Sequence, residues 1–363
     1  MKKRVAIICG GRSSEHEISC ISASGVIAAI DRQEFDPILI GISKSGAWIL
    51  LKDATNFVAG ESGLPSVPEN RSNVSFGSNG FFADSNDSSN VSPNVSLSVD
   101  VVFPLLHGAY GEDGTIQGLL EMLNIPYVGS GVLASSVAMD KTFAKPIYSD
   151  FGMNVADGIT VHQRDWRENK SLEIAKISAL GFPIFIKPAR SGSSRGTYKV
   201  KDASQVESAI DSAHKFDPKA MAEAAIVGRE IECAVLEIDG KPEASVLGEI
   251  KVNPPHEFYD FDAKYLDGST SFEIPANLSA SLTERIRSAA VAAFSALGCE
   301  GLARVDFFLT EDGKIIINEL NTMPGFTPRS VFPMLWEASG KNYSELISQL
   351  IKSALQRSQN VVR

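Results

Sequence analysis

Residues 301–325, GLARVDFFLTEDGKIIINELNTMPG, read as two runs rich in β-branched and aromatic residues, joined by Asp312-Gly313, a dipeptide that favours the tight turn of a β-hairpin. With those two residues at the turn centre, the spacing predicts Phe308 opposite Ile317, Asp306 opposite Glu319 and Arg304 opposite Asn321. Side chains alternate faces along a strand, so all six share one face. Opposed carboxylates destabilise a sheet unless something cationic lies between them. The expectation is therefore a metal site made by Asp306, Glu319 and Asn321. Oxygen donors alone suit Mg²⁺ or Mn²⁺, and Mg²⁺ held by few protein oxygens usually also binds substrate phosphates. The plainer reading is an exposed face carrying a chance acidic pair.

The chain around this hairpin has 363 residues, too many for one typical domain. Its 44% hydrophobic and 21% charged content is ordinary for a soluble globular protein. A net charge of -10 argues against nucleic acid as a partner, since such proteins usually present a basic face. No apolar run approaches membrane-spanning length, and Met1-Lys2-Lys3-Arg4 leads straight into a strand-like run rather than a signal peptide. Cys9, Cys20, Cys233 and Cys299 show no paired spacing and read as buried thiols of a reducing cytoplasm.

Upstream, residues 5–9 (VAIIC) form a continuous apolar run that breaks at Gly10-Gly11. Ser14 and Glu17 have capping-box spacing, so a helix is expected from Ser14. Strand, glycine turn and helix start together present backbone N–H groups to an anion. Glu15, at the first helical position, serves either the helix dipole or a ligand's ammonium group, and local sequence favours the dipole. Residues 60–98 are rich in Ser, Asn and Gly and read as a surface insertion or poorly ordered loop. Strand order resumes at 99–106, ending in His107 and a glycine-rich loop, the place where open α/β sheets bind ligands. Residues 125–128 suggest a further short strand.

Lys141 lies in helical sequence and looks like a solvated surface lysine. Lys187 is different: within the apolar run 182–188 (FPIFIKP), a lysine needs an anionic partner. The loop of small residues that follows, 189–196, suits a flexible cover over nucleotide phosphates but is not a Walker P-loop. Glu223 lies on an expected strand over 220–226, and Glu230 opens the next. Residues 254–265, polar and aromatic, read as a lid.

At this point five motifs resemble the D-alanine–D-alanine ligases of the ATP-grasp superfamily: GGRSSEHEIS (10–19), HGAYGEDGT (107–115), KPARSGSS (187–194), FYDFDAKY (258–265) and NELNTMPG (318–325). The resemblance covers nearly the whole chain apart from the insertion. It implies a mixed α/β and α+β architecture: an N-terminal Rossmann-like (pre-ATP-grasp) domain over 1–130, then a two-lobed ATP-grasp fold with a central lobe over 131–228 and a C-terminal lobe over 229–363. The implied reaction is ATP-dependent ligation of two D-alanines through an acyl phosphate for peptidoglycan precursor synthesis, in a cytoplasmic homodimer. The alternatives are a ligase joining D-alanine to D-lactate, disfavoured because such relatives replace the tyrosine that is Tyr265 here, or another ATP-grasp carboxylate-amine ligase.

The resemblance also implies residue roles. Asp306, Glu319 and Asn321 match the ligands of two Mg²⁺ or Mn²⁺ ions bridging the ATP phosphates. Lys141, Lys187, Ser193, Ser194 and Lys264 match nucleotide contacts, Glu223 and the backbone at Ile226 the adenine hinge, Glu230 the ribose contact, and Phe308 the ring against adenine. Glu15 matches the anchor for the first D-alanine's ammonium group, which reverses the local reading. Ser193 and Tyr265 match its hydrogen-bonding partners, Arg304 and the Gly325 N–H an oxyanion hole, Ser330 the contact to the second substrate's carboxylate, and His107 a neighbour of the first. Arg195 departs from the family's usual small apolar residue and is expected to face solvent.

Overall fold

The computed structural model describes residues 1–60, 62–69, 73–77, 80–83, 95–192, 194–252 and 270–357. The first apolar run is the strand Lys3–Gly10, which pairs in parallel with Phe35–Ile42 on one side and Val101–Pro104 on the other, with Trp48–Leu51 antiparallel at the edge. Residues 125–128 contribute a single bridge, Val102 to Tyr127, rather than a strand.

At the end of the first strand the backbone turns through Gly10 and Gly11, both at positive φ. A Cβ on Gly10 would lie 2.3 Å from the Ile42 carbonyl oxygen, so only glycine fits this turn. The helix begins at His16, not Ser14. Glu15 is its N-cap residue and makes no side-chain cap, and Glu17 pairs with Lys44 at 2.6 Å instead of closing a capping box. Ser13 explains the difference: its hydroxyl donates to the His107 carbonyl at 2.7 Å and accepts the Glu15 N–H at 3.2 Å. The loop is thereby tied to the neighbouring strand end, at the cost of the local cap.

The described part of the Ser/Asn-rich region is more structured than its composition suggests. Strands Val74–Gly77, Gly80–Ala83 and Val95–Leu97 form a small antiparallel sheet, and Phe81 is fully buried against Trp48 and Phe76. Val67 donates its N–H to His16 Nε2 at 3.1 Å, fastening this region to the first helix.

Two further sheets make the cleft. One is antiparallel, in the order Gly158–His162, Lys219–Ala224, Ile184–Pro188, Tyr198–Val200. The other has six strands, with Leu302–Leu309 between Arg229–Ile238 and Ile315–Asn321. Behind it packs the helix Ala280–Ala296. The last helices, Val331–Ala338 and Tyr343–Gln356, return to the first sheet, where Phe326, Phe332, Leu346 and Leu350 share a core with Val5, Ile7 and Phe103.

The hairpin exists as expected, with one correction. Its turn is three residues long: Thr310 and Lys314 close it, and Gly313 sits at φ 77. This sets Phe308 opposite Ile316 rather than Ile317. A bulge at Asn318 then adds the residue that restores the expected pairs, Asp306 with Glu319 and Arg304 with Asn321. Ile317 consequently belongs to the core behind the sheet, not to the cleft face.

Candidate active site

The cleft between the two sheets holds a cavity of about 370 Å³. Its apolar end is made by Phe185, Phe308 and the connection 225–228, its polar end by Lys141, Lys187, Asp306 and Glu319. The connection is drawn tight at Gly228, whose Cβ would meet the Leu309 carbonyl at 2.6 Å. Ile226 and Glu230 both line the cavity, and Glu230 stands opposite Phe308 across the strands. Ser191 and Ser194 line it from the small-residue loop, whereas Arg195 is not part of the lining and is half-buried.

Lys187 is buried on its apolar strand with the expected anionic partner, Glu223. Glu223 also takes Lys145 at 2.8 Å. Burial alone would raise the Glu223 carboxyl, but the two ammonium groups override it and hold it at about 2. Burial, with Lys145 and Lys141 nearby, keeps Lys187 below the ordinary lysine range despite Glu223. Glu223 thus stands behind Lys187 and orients it; the carboxylate is not among the groups lining the cavity.

Lys141 is not a solvated lysine. It is buried, donates to the Ser191 carbonyl at 3.1 Å and pairs with Glu319 at 3.0 Å. Burial lowers its pKa, but the Glu319 carboxylate more than offsets this, and the net shift is upward. On the facing strand, Arg304 grips Asp306 with two hydrogen bonds of 2.7 Å and reaches Glu232 at 3.1 Å. Asn321 Nδ2 adds a bond to Asp306 at 3.1 Å.

These pairings correct the premise of the metal argument. Asp306 and Glu319 do face each other, but Arg304 and Lys141 supply the counter-charge, so electrostatics alone does not demand an ion. Among the described residues no group of three or more His, Cys, Asp or Glu side chains is arranged to hold a metal. The donor set still fits one: two carboxylates and an amide offer only oxygen, an incomplete shell of the kind a hard cation fills with phosphate and water.

Glu15 is only 8% exposed and makes no side-chain cap on the helix. Its Oε2 lies 2.7 Å from where a Cβ on Gly108 would be, and 2.9 Å from the equivalent point on Gly192. Both glycines are therefore required for the carboxylate to sit between the first sheet's loop and the small-residue loop. His107 is buried, which holds it below the ordinary imidazole range. Its Nδ1–H donates to the Met323 carbonyl at 3.0 Å and its Nε2 accepts from Ser22 Oγ at 3.0 Å, so both nitrogens are engaged within the protein. Ser330 Oγ accepts the Thr327 N–H at 3.0 Å and lies 3.1 Å from the Cβ position of Gly325. Ser193, Lys264 and Tyr265 lie outside the described residues.

Several site residues escaped the sequence reading. Lys145 follows Lys141 by one helical turn and Glu232 follows Glu230 by one strand repeat, so periodicity alone would have found both. Lys199, opposite Phe185, also lines the cavity. Asn318, 3.5 Å from Lys187 Nζ, faces the cleft only because of the bulge, which alternation does not announce.

A nucleotide-sized cleft between an antiparallel sheet and a second sheet bearing opposed carboxylates, with a buried lysine on each side, defines an ATP-grasp enzyme. Residues 4–130 match the family model "D-ala D-ala ligase N-terminus" and residues 147–352 match "D-ala D-ala ligase C-terminus". The D-alanine–D-alanine ligase of Arthrobacter sp. (strain FB24) is 49% identical, covering 98% of this chain and 95% of that protein. That of Streptomyces coelicolor is 47% identical, covering 98% and 93%. Among solved structures, the VanG D-Ala:D-Ser ligase from Enterococcus faecalis superposes with a TM-score of 0.82 at 36% identity, covering 98% of this chain and all of that one. The D-alanine-D-alanine ligase from Coxiella burnetii gives 0.79 at 36%, covering 98% and 94%. The chain belongs to the D-alanine–D-alanine ligase family, and is a ligase that uses ATP with a divalent metal. No helix among the described residues is long and apolar enough to cross a membrane.

Proposed function

We propose that this enzyme joins two molecules of D-alanine into D-alanyl-D-alanine, a peptidoglycan precursor, cleaving ATP to ADP and phosphate. The carboxylate oxygen of the first D-alanine attacks the γ-phosphorus and the bond to ADP breaks, leaving an acyl phosphate. The amine of the second attacks that carbonyl carbon, loses a proton, and phosphate departs as the peptide bond forms.

The observation that carries this reading is the placement of Glu15. Its carboxylate, delivered by the first sheet, lies against Gly192 of the loop whose Ser191 and Ser194 line the nucleotide cavity. That placement suits a substrate with an ammonium group at one end and a carboxylate within reach of a terminal phosphate. Adenine occupies the end made by Phe308 and the Ile226 backbone, with Glu230 toward the ribose. Lys141, and Lys187 held by Glu223, spread the charge of the transferred phosphoryl group. Asp306, Glu319 and Asn321 hold Mg²⁺ or Mn²⁺, two ions in our reading, which supply further charge neutralisation when bound. Arg304 and the Gly325 N–H serve the tetrahedral oxyanion, Ser330 serves the second substrate's carboxylate, and His107 sits beside the first. Ser193, Lys264 and Tyr265 belong to the cover and lid.

We further assign residues 1–130 to a substrate domain and 131–228 and 229–363 to the two grasp lobes, in a cytoplasmic homodimer. The test is D-alanine-dependent phosphate release with identification of the product formed from a mixture of D-alanine, D-serine and D-lactate at neutral pH. D-Alanyl-D-alanine should dominate. A product dominated by D-alanyl-D-serine or by the depsipeptide overturns the choice of second substrate, and phosphate release indifferent to D-alanine overturns the function.

A further inference from the structure

One carboxylate beside the cleft, outside the cavity lining, takes part in none of these roles. Glu112, in the glycine-rich loop after the strand Val101–Pro104, accepts the Gly108 N–H at 2.6 Å through one oxygen and the Met323 N–H at 3.2 Å through the other. The first bond holds its own loop. The second crosses 211 residues of sequence to the segment leaving the metal hairpin.

The Met323 peptide is in fact gripped on both sides by the same loop. Its N–H goes to Glu112 and its carbonyl receives His107 Nδ1–H. The gripping loop is anchored in turn by Ser13 on the His107 carbonyl and by Ser22 on the imidazole. Two residues before Met323 lies Asn321, and two after it lies Gly325. Gly108, the other partner of Glu112, is the glycine against which Glu15 Oε2 packs. A single side chain thus ties the backbone that presents the proposed oxyanion donor to the backbone that shapes the proposed ammonium site.

We propose that Glu112 is a positioning residue, fixing the distance between Gly325 and Glu15 by clamping the Met323 peptide to the Gly108 loop. This rests on the proposed D-alanine ligation, in which those two groups hold opposite ends of one substrate. The geometry of the clamp requires two acceptor oxygens, because both partners are N–H donors, and glutamate provides them while reaching across the gap. The neighbourhood is electrostatically costly. Enclosure by protein, and then the Glu15 carboxylate, push the Glu112 carboxyl upward, against the Gly108 and Met323 N–H bonds and Arg304, which favour its charged, two-acceptor form. The nearby charged groups are Glu15, Lys141 and Arg304, with neutral His107 on the same loop. A carboxyl retained in such company marks a requirement of position rather than of charge.

The decisive variant is Glu112→Gln, the same size but with an amide NH₂ that must face one of the two N–H donors. Two measurements keep the clamp separable from the reaction. Amide exchange over 322–326, read by mass spectrometry on the enzyme with ADP, should quicken about tenfold in the variant while the sheet 184–224 is unchanged. In D-alanine-dependent turnover, kcat should fall roughly a hundredfold, with the KM for the first D-alanine and the affinity for ADP within about threefold of the parent. Unchanged exchange over 322–326 overturns the clamp whatever the reaction proves to be. Quickened exchange with an unchanged kcat overturns the link to catalysis, as does a fall in kcat matched by an equal fall in ADP-binding sites. A parent enzyme that shows no D-alanine-dependent turnover sinks the proposed function instead and leaves the exchange result to decide on the clamp.

Discussion

Charge compensation between individual residues gives the site its sharpest expectations. Glu319 pairs with Lys141 across the cleft and completes the oxygen set with Asp306 and Asn321. Glu319→Gln keeps the shape but removes the anion that Lys141 pairs with, so the variant should still unfold cooperatively, at a lower temperature than the parent, and lose at least about a hundredfold in turnover at saturating Mg²⁺. Near-normal turnover would remove Glu319 from the site. Glu223 predicts an effect on stability instead. Its carboxyl is held at about 2, below the ordinary value of 4.5, so its contribution is fully present above about pH 4.5 and is lost as the pH falls toward 2. Glu223→Gln leaves Lys187 and Lys145 buried without their anion, a loss of roughly 3–5 kcal/mol at neutral pH. Urea midpoints of parent and variant should therefore stand well apart at pH 6 and draw together progressively as the pH falls from about 4.5 toward 2; a constant gap would refute the pairing. The need of Lys187 for a partner was legible from its apolar strand. The burial of Lys141 was not, because an amphipathic helix shows which residues share a face but not what that face meets.

In the hairpin element, sequence reasoning reached the right pairs at the carboxylates through a turn of the wrong length. A two-residue turn without a bulge and a three-residue turn with one extra residue at Asn318 place Asp306 opposite Glu319 alike. They differ only between the turn and the bulge, where Phe308 meets Ile316 and Ile317 turns to the core. Turn chemistry names the glycine but not the loop length, and a bulge leaves no signature in alternation. The structure makes the third turn residue dispensable. Deleting Glu311 leaves Thr310 opposite Lys314 with Asp312-Gly313 between them, a favoured two-residue turn. ADP affinity should then stay within about threefold, and stability within about 1 kcal/mol, of the parent. A large loss of ADP binding would mean that the turn sets the register of the carboxylates, contrary to the long pairing with Arg229–Ile238 that holds this strand from its other side.

For the whole molecule, the core does not follow chain order. Phe326, Phe332, Leu346 and Leu350 come from the end of the chain, yet they are buried with Val5, Ile7, Val101 and Phe103 of the first sheet, and the Phe103 and Phe326 rings meet edge-on with centroids 5.5 Å apart. The alternation of strands and helices foretold an α/β start, but apolar periodicity names the buried face of a helix and not its partner, so this return was invisible in the sequence. Its functional consequence is that the segment from Met323 to Ser330 is held between the hairpin over 302–321 and the first sheet, which is why residues so distant in sequence converge on one cleft. The energetic consequence can be tested. Residues 1–130 alone would keep the helix His16–Ala29 on that face but lose the C-terminal helices, and each large apolar side chain left uncovered forgoes about 1.5–3 kcal/mol. Several such losses consume a typical stability of about 5–15 kcal/mol. The fragment should show no cooperative melting transition and should bind a dye specific for exposed apolar surface, whereas the full chain should not. A fragment that melts cooperatively would show that the first sheet needs no cover from the C-terminal helices, and that they return to it to place the site rather than to complete a core.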